Sequence, residues 1–325
     1  MIISRTPFRL SLAGGGSDLR SYYQTGYGQV VSTAVNKYMY ITVNKRFDKT
    51  LRVSYNKTEI VDHTEELRHP IVKSALKKLG IEHGVEIVSM ADIPAGTGLG
   101  SSSSFTVGLL NALYAYKGVF VSAERLAREA CEIEIEDLGE PIGKQDQYIA
   151  AYGGFQKIRF NADETVFVNP IICTNGVKRE LDKYIMAFYT GQTRSASKIL
   201  KQHHEPSQDR EERMTKIRDF SDDVSRILTE GNNLNRVGQL LDEGWQLKRG
   251  VASGTTTGVI DELYGKAKDA GALGGKIAGA GGGGFMFMFV EPHNQDSVRE
   301  ALGLKEMKFQ FEPQGSKIIY VGTDR

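Results

Sequence analysis

Three glycine-rich stretches hold most of the residues in this 325-residue chain whose types and spacing could do chemistry. The first reads Pro94-Ala95-Gly96-Thr97-Gly98-Leu99-Gly100, followed by the hydroxyls of Ser101, Ser102, Ser103 and Ser104. Alternate glycines let the backbone come close to a ligand. The run follows an expected strand at residues 84–91 and enters an expected helix at Ser102. Unpaired N–H groups and the dipole at such a helix start attract anions. Strand, glycine loop and helix N-terminus together make a phosphate cradle. It is not a Walker A loop, because the Gly-Lys pairs at 143–144, 265–266 and 275–276 all lack the Ser or Thr that must follow.

The second stretch, residues 274–284, contains Gly279-x-Gly281-x-x-Gly284, a formal dinucleotide-binding pattern. That pattern should follow a strand and open a helix, whereas here it precedes an expected strand at 285–290. Close packing against a bound phosphate or against the first loop explains the glycines better; a tight inter-domain turn is the plainer alternative. The third stretch runs from Pro7 through Arg9 to Gly14-Gly15-Gly16-Ser17-Asp18. Strand alternation sets Arg9 on the face opposite Phe8 and Leu10, and Asp18 follows a flexible turn.

One acid is out of place. A helix is expected from the N-cap Ser122 to Gly139, with Leu126, Ala127, Ala130, Ile133 and Leu138 on its apolar face. Glu129, Glu132 and Glu136 fall on the opposite, solvated side, while Glu134 points into the apolar face with Asp137 at its flank. An inward carboxylate is costly unless it is paired or coordinating. The His203-His204 pair carries no comparable signal, since adjacent side chains diverge and no third ligand lies near in sequence.

The elements that must position these groups alternate irregularly. Strands are expected at 2–12, as a pair within 27–47, at 84–91, 184–189, 285–290 and 317–321, and helices at 102–117, 122–139, 214–228, 234–248 and 258–270. Mixed elements without strict βαβ order argue for an α+β fold. Composition shifts within residues 161–178, which suggests two domains, 1–165 and 166–325. Lys and Arg number 41 against 40 Asp and Glu, so net charge gives no support for nucleic-acid or membrane-surface binding. No apolar run approaches the ~20 residues of a membrane span, and the N-terminal residues do not resemble a signal peptide. Cys131 and Cys173 are too few and too far apart for a disulfide framework or a zinc site, which favours a reduced cytoplasm. Glycine, 36 of 325 residues against a usual ~7%, is the one compositional excess.

Taken in order, the three stretches resemble the signature motifs of the GHMP kinases, a superfamily that includes galactokinase, homoserine kinase and mevalonate kinase. The resemblance spans residues 7–284. It implies a two-domain α+β kinase with its active site between the domains, binding ATP and Mg²⁺ at the loop from Pro94 to Ser104, with Gly281 and Gly282 closing over the nucleotide. It assigns Ser102 and Glu134 to Mg²⁺, Asp146 to the catalytic base, and Arg9 to the cation beside base and transferring phosphoryl group. Gly15, Gly16, Ser17, Asp18, Gly143 and Gly279 fall at acceptor-binding positions.

The acceptor can be narrowed. Galactokinases carry G-E-H-x-D where this chain has Gly14-Gly15-Gly16-Ser17-Asp18, so two sugar contacts are lost and space is gained. The stretch around Arg9, with Asn36-Lys37-Tyr38 and Tyr189-Thr190-Gly191-Gln192-Thr193-Arg194-Ser195, looks like the bacterial heptose 7-phosphate kinases. These phosphorylate an anomeric hydroxyl on the route to nucleotide-activated heptose for surface polysaccharide. L-fucose kinases share the Gly-Gly-x-Ser-Asp stretch and are the nearest rival. Homoserine or mevalonate kinases are a third option, and a sugar sensor without turnover is the non-enzyme alternative. A phosphorylated acceptor needs a second anion site. Arg194 is its first candidate, flanked by hydroxyls, with Lys198, Lys248, Arg249, Arg20 and Lys37 behind it.

Overall fold

The computed structural model describes residues 1–192, 208–251 and 254–322. Its first sheet is built around β1 (Ile2–Ala13), which lies antiparallel to β2 (Tyr27–Lys45) on one side and to β12 (Lys317–Val321) on the other. Beyond β2 come β5 (Val85–Ala91), β3 (Leu51–Ser54) and β4 (Thr58–Val61). A branch, β6 (Phe155–Asn161) and β7 (Val166–Pro170), leaves from the first half of β2. The second sheet has the order β11 (Lys305–Glu306), β8 (Ile185–Tyr189), β10 (Phe285–Val290), β9 (Ala272–Ile277). Past the expected boundary at 165/166, both β7 and β12 return to the first sheet.

Residues 27–47 do not form a pair of strands. They form one 19-residue strand that serves two partners, with Tyr27–Thr33 on β6 and Met39–Lys45 on β5. Pro7 faces Tyr38 while Phe8 faces Val35, so Asn36 and Lys37 are left over in a bulge. Such a bulge bends the strand without ending it. The polar pair mid-segment therefore marks a bend where a turn was expected.

Strand β10 shows how the cores are joined. Its period of two sends Phe285, Phe287 and Phe289 into the large core and Met286, Met288 and Val290 into a second core with Trp245, Ile260 and Tyr264. Helix α1 (Ser101–Tyr116) buries Val107, Leu110 and Leu113 against the first sheet, as its spacing predicts. Helix α2 (Ala123–Cys131) is capped by the Ser122 hydroxyl, which accepts from the Arg125 N–H at 3.2 Å. The expected α-helix to Gly139 stops early: residues Glu132–Asp137 form a π turn, closed by Leu138 N–H to Ile133 O at 3.1 Å. Helix α3 (Gln145–Tyr152) follows; α4 (Gln208–Glu230) packs on β1 and β2 of the first sheet and on α5 (Asn235–Arg249), while α5 and α6 (Gly258–Asp269) lie against β9 of the second sheet.

Glu129, expected in solvent, is 5% exposed. The Tyr114 hydroxyl donates to it at 2.7 Å, and Arg125 Nε donates to its other oxygen at 2.7 Å. Spacing alone missed this because α1 folds over the helix face that a projection leaves open. Glu129→Ala is expected to lower unfolding free energy by about 2 kcal/mol by removing a buried hydrogen-bonded charge, read from urea unfolding. A change below about 0.5 kcal/mol, the range of an ordinary surface substitution, would contradict it.

Candidate active site

The cradle forms as its sequence suggests. Gly100, in the left-handed region at φ +76°, caps α1, and the first intrahelical bond runs from Ser104 N–H to Gly100 O at 2.9 Å. The N–H groups of Ser101, Ser102 and Ser103 thus have no partner within the helix. The π turn aims Glu134 at this same helix start. Ser102 Oγ donates to its Oε1 at 2.5 Å, Ser103 Oγ to its Oε2 at 2.8 Å and Gln147 Nε2 to its Oε2 at 2.6 Å. Burial pushes the Glu134 carboxyl above the usual range, these three donors pull the other way, and Asp146 adds a smaller push upward. A π turn is a frequent way to place a functional side chain.

The two long glycine loops pack against each other. Gly98 has φ +80°, and a Cβ there would stand 2.5 Å from Ala278 O. The Phe285 N–H donates to Thr97 O at 3.2 Å, closing the contact at the other end. Of the readings open for residues 274–284, contact with the first loop is what the structure contains.

Arg9 ties the third stretch to both. Its N–H donates to Leu99 O at 3.1 Å, and its Nη1 donates to Gly98 O. Nε and Nη2 form a fork on Asp146, at 2.8 Å to Oδ1 and 2.7 Å to Oδ2. The guanidinium is almost fully buried, while the Asp146 side chain, in the first turn of α3, keeps 24% exposure. Asp18 sits opposite, accepting from Gly16 N–H at 2.9 Å and Gln145 N–H at 3.1 Å. Burial, and then the Asp146 charge, raise its pKa.

These groups enclose a cleft of about 280 Å³, and Gly15, Gly16, Gly96, Gly143, Gly279 and Gly281 form part of its wall. A second cleft of about 600 Å³ shares Gly96, Ser101 and Ser102 with it and is lined by Tyr55, His69 and Phe105. The His69 and Phe105 rings are stacked with centroids 5.0 Å apart. Other residues named from sequence stand behind the wall. Ser17 Oγ donates to Gly14 O and Gln29 O, Ser104 Oγ to Pro7 O, and Leu99 is buried. Pro94 O accepts from Thr97 Oγ1, and Gly282 N–H donates to Thr255 O at 2.8 Å. Arg194, Lys198 and the His203-His204 pair lie outside the described residues. Arg20 is paired with Glu136 and Glu164, and Arg249 with Asp261. Lys248 lines the cleft, and so does Lys276, which sequence reasoning passed over as a failed P-loop lysine. The available signal was that it is the one cation within the second glycine stretch.

The donor set beside the cradle suits Mg²⁺. A carboxylate and a hydroxyl are hard oxygen ligands, and Mg²⁺ is usually held by one or two carboxylates, leaving the rest of its shell to phosphates and water. Glu134 and Ser102 are such a pair, at the helix start where phosphates would lie.

Comparison with known proteins identifies the class. Residues 68–154 match the GHMP kinases N terminal domain, and residues 225–308 match GHMP kinases C terminal. The D-glycero-alpha-D-manno-heptose 7-phosphate kinase of Campylobacter jejuni is 30% identical over 97% of this chain and 98% of its own. The chain therefore belongs to the GHMP kinases, and it is an ATP-dependent phosphotransferase with an alcohol acceptor. A crystal structure named as a D-glycero-D-manno-heptose 1-phosphate kinase from Bacteroides thetaiotaomicron superposes with a TM-score of 0.83 at 28% identity, covering 99% of this chain and 100% of that one. L-fucokinase/L-fucose-1-P guanylyltransferase of Bacteroides fragilis is 24% identical over 93% of this chain but only 36% of its own length.

Gly98→Ala would force a Cβ into the Ala278 carbonyl and a strained φ. It is expected to weaken ATP binding at least about tenfold, some 1.4 kcal/mol, with the far-ultraviolet circular dichroism unchanged. Calorimetric titration with ATP and Mg²⁺ measures this, and unaltered affinity would show that the loop contact does not shape the cradle.

Proposed function

We propose that this kinase transfers the γ-phosphoryl group of ATP to the anomeric hydroxyl of D-glycero-D-manno-heptose 7-phosphate, in the cytoplasm, supplying nucleotide-activated heptose for surface polysaccharide. The observation that carries this reading is the Arg9–Asp146 fork, set where the phosphate cradle meets a cleft opened by Gly15 and Gly16. Similarity to the Campylobacter relative over nearly all of both chains supports the acceptor. L-fucose is the second reading, favoured by the shared Gly-Gly-x-Ser-Asp stretch and the Bacteroides fragilis relative.

The adenine then lies in the aromatic cleft of Tyr55, His69 and Phe105. The phosphates lie on the N–H groups of Ser101, Ser102 and Ser103. Glu134 and Ser102 would hold Mg²⁺, which would neutralise phosphate charge there. Phosphoryl transfer needs mainly positioning and charge stabilisation. Arg9 supplies the fixed positive charge, locked in orientation by its contacts to Asp146 and the Gly98 carbonyl. Asp146 accepts the proton of the acceptor hydroxyl as its oxygen bonds to the γ-phosphorus and the bond to the ADP oxygen breaks. Asp18, Gly143 and Gly279 face the sugar from the other side of the cleft.

Asp146→Asn keeps the shape but loses the base. Turnover is expected to fall by about 10³-fold, within the usual range for general-base catalysis, while ATP affinity changes by less than about threefold. Coupled ADP release with the heptose phosphate, L-fucose, galactose and mevalonate as acceptors checks both base and substrate. An Asp146→Asn enzyme with full activity would remove the base assignment, and a preference for L-fucose would replace the acceptor.

A further inference from the structure

The proposed acceptor carries a phosphate that neither the cradle nor the Arg9–Asp146 fork accounts for. We infer that Lys248 and Lys276, with the Ser11 hydroxyl, form a second anion site that holds the phosphate monoester already present on the acceptor. This rests on the proposed reading of the substrate.

Three observations meet at this place. Lys248 and Lys276 are 8% and 9% exposed, and both line the main cleft. Lys248 Nζ donates to Gly279 O at 2.7 Å, which fixes it at the edge of the second glycine loop. Lys276 has no hydrogen-bond or ion-pair partner among the described residues, on a side chain buried inside a strand. A buried ammonium group without a partner is strongly disfavoured, so such groups are kept where a ligand completes them. The second observation is Ser11. Its Oγ is buried, lines the same cleft and has no hydrogen-bond partner among the described residues. The third is space: Gly15 stands beside Ser11, where a Cβ would lie 3.1 Å from Ser11 Oγ. Gly15, Lys248 and Lys276 also line a small side chamber that opens behind the cleft. Two cations, a free hydroxyl donor and a missing side chain converge on one corner.

The charges around the corner favour an anion. Facing the pair are the Arg9 guanidinium and the carboxylates of Asp18 and Asp146, and the two carboxylates are already held by backbone N–H groups or by Arg9. Burial lowers both ammonium groups from the usual range, Lys248 to about 8, and Lys276 is pushed down further by Lys248 and Arg9. A phosphate dianion would relieve this repulsion and hold both groups charged. The same chemistry could come from the γ-phosphate of ATP, and the experiment separates the two sources.

Lys276→Met is the main variant and Lys248→Met an independent second. Steady-state ADP release is measured with the heptose 7-phosphate and with the unphosphorylated heptose. With the phosphorylated acceptor, Lys276→Met is expected to raise KM at least 30-fold and to change kcat less than fivefold. KM for ATP and kcat/KM for the free heptose should stay within about threefold. A rise in the ATP KM instead would assign the lysines to the nucleotide and overturn the inference.

Thermal melting supplies a readout that does not depend on turnover. Ligand-free Lys276→Met should melt above the wild type, because it replaces an unpartnered buried amine with an apolar side chain; a lower melting point would mark the lysine as structural and contradict the inference. With a non-hydrolysable ATP analogue and Mg²⁺ filling the cradle, inorganic phosphate should raise the wild-type Tm and leave that of Lys276→Met unmoved. If that shift is seen while wild type prefers free heptose, the anion site stands and the substrate reading fails. If phosphate moves neither protein, the site itself is refuted.

Discussion

The active cleft is governed by buried charge. Arg9, Lys248 and Lys276 face Asp18 and Asp146 around a cavity of about 280 Å³, and all but Asp146 are over nine-tenths buried. Two unit charges 4 Å apart interact by about 4 kcal/mol at an effective dielectric of 20, so small displacements here are expensive. The Arg9–Asp146 fork is the tie that holds the arrangement. Arg9 bonds through its backbone to Leu99 and through its side chain to Gly98 and Asp146, which joins β1, the first glycine loop and α3 at one point. A planar guanidinium suits this better than a lysine, because its two-pronged contact fixes direction as well as distance.

The rest of the fold holds that point still. At Arg9, β1 is paired to β2 opposite Ala34 on one edge and its N–H is held by Leu99 O on the other, so Arg9 cannot drift with a loop. The second glycine loop leaves β9, crosses the first loop at Gly98 and returns as β10, whose alternate residues are anchored in two different cores. The π turn brings Glu134 to Ser102 and Ser103. Arg9, Lys248 and Lys276 against Asp18 and Asp146 suit anionic substrates, and burying Lys276 without a partner is expected to oppose folding of the empty protein. A stability maximum and a working site are therefore different optima for this sequence.

Much of this was legible in the residues, and the exceptions have physical causes. Glycine at alternate positions before a serine-rich helix start leaves few structural alternatives, and a carboxylate on an apolar helix face stands out as an energetic anomaly. The strands at 2–13, 85–91, 185–189 and 285–290 and the helix at 101–116 needed only their own periodicity. What a one-dimensional reading could not supply was contact between distant segments. Glu129 is buried because Tyr114 and Arg125 meet it, and β2 stays one strand because two partners share it. Lys276 escaped notice because its burial depends on the end of β1 and the helix carrying Lys248 meeting it around the cleft, whereas Arg194 drew attention because hydroxyls adjoin it in sequence. The helix from Ser122 was read as uniform, since a single extra residue per turn leaves no mark in apolar spacing.

Two relatives are named for opposite ends of the same sugar, one a heptose 7-phosphate kinase and one a heptose 1-phosphate kinase. The proposed function takes the anomeric hydroxyl as the one beside Asp146, with the existing phosphate held at Lys248 and Lys276. The most direct test is phosphorus NMR of the product formed from D-glycero-D-manno-heptose 7-phosphate, ATP and Mg²⁺. Transfer to the anomeric oxygen predicts a product with two phosphate resonances of equal intensity, one coupled to the anomeric proton and one to the C7 methylene protons. A new phosphate on any other carbon, or release of inorganic phosphate alone, would contradict it.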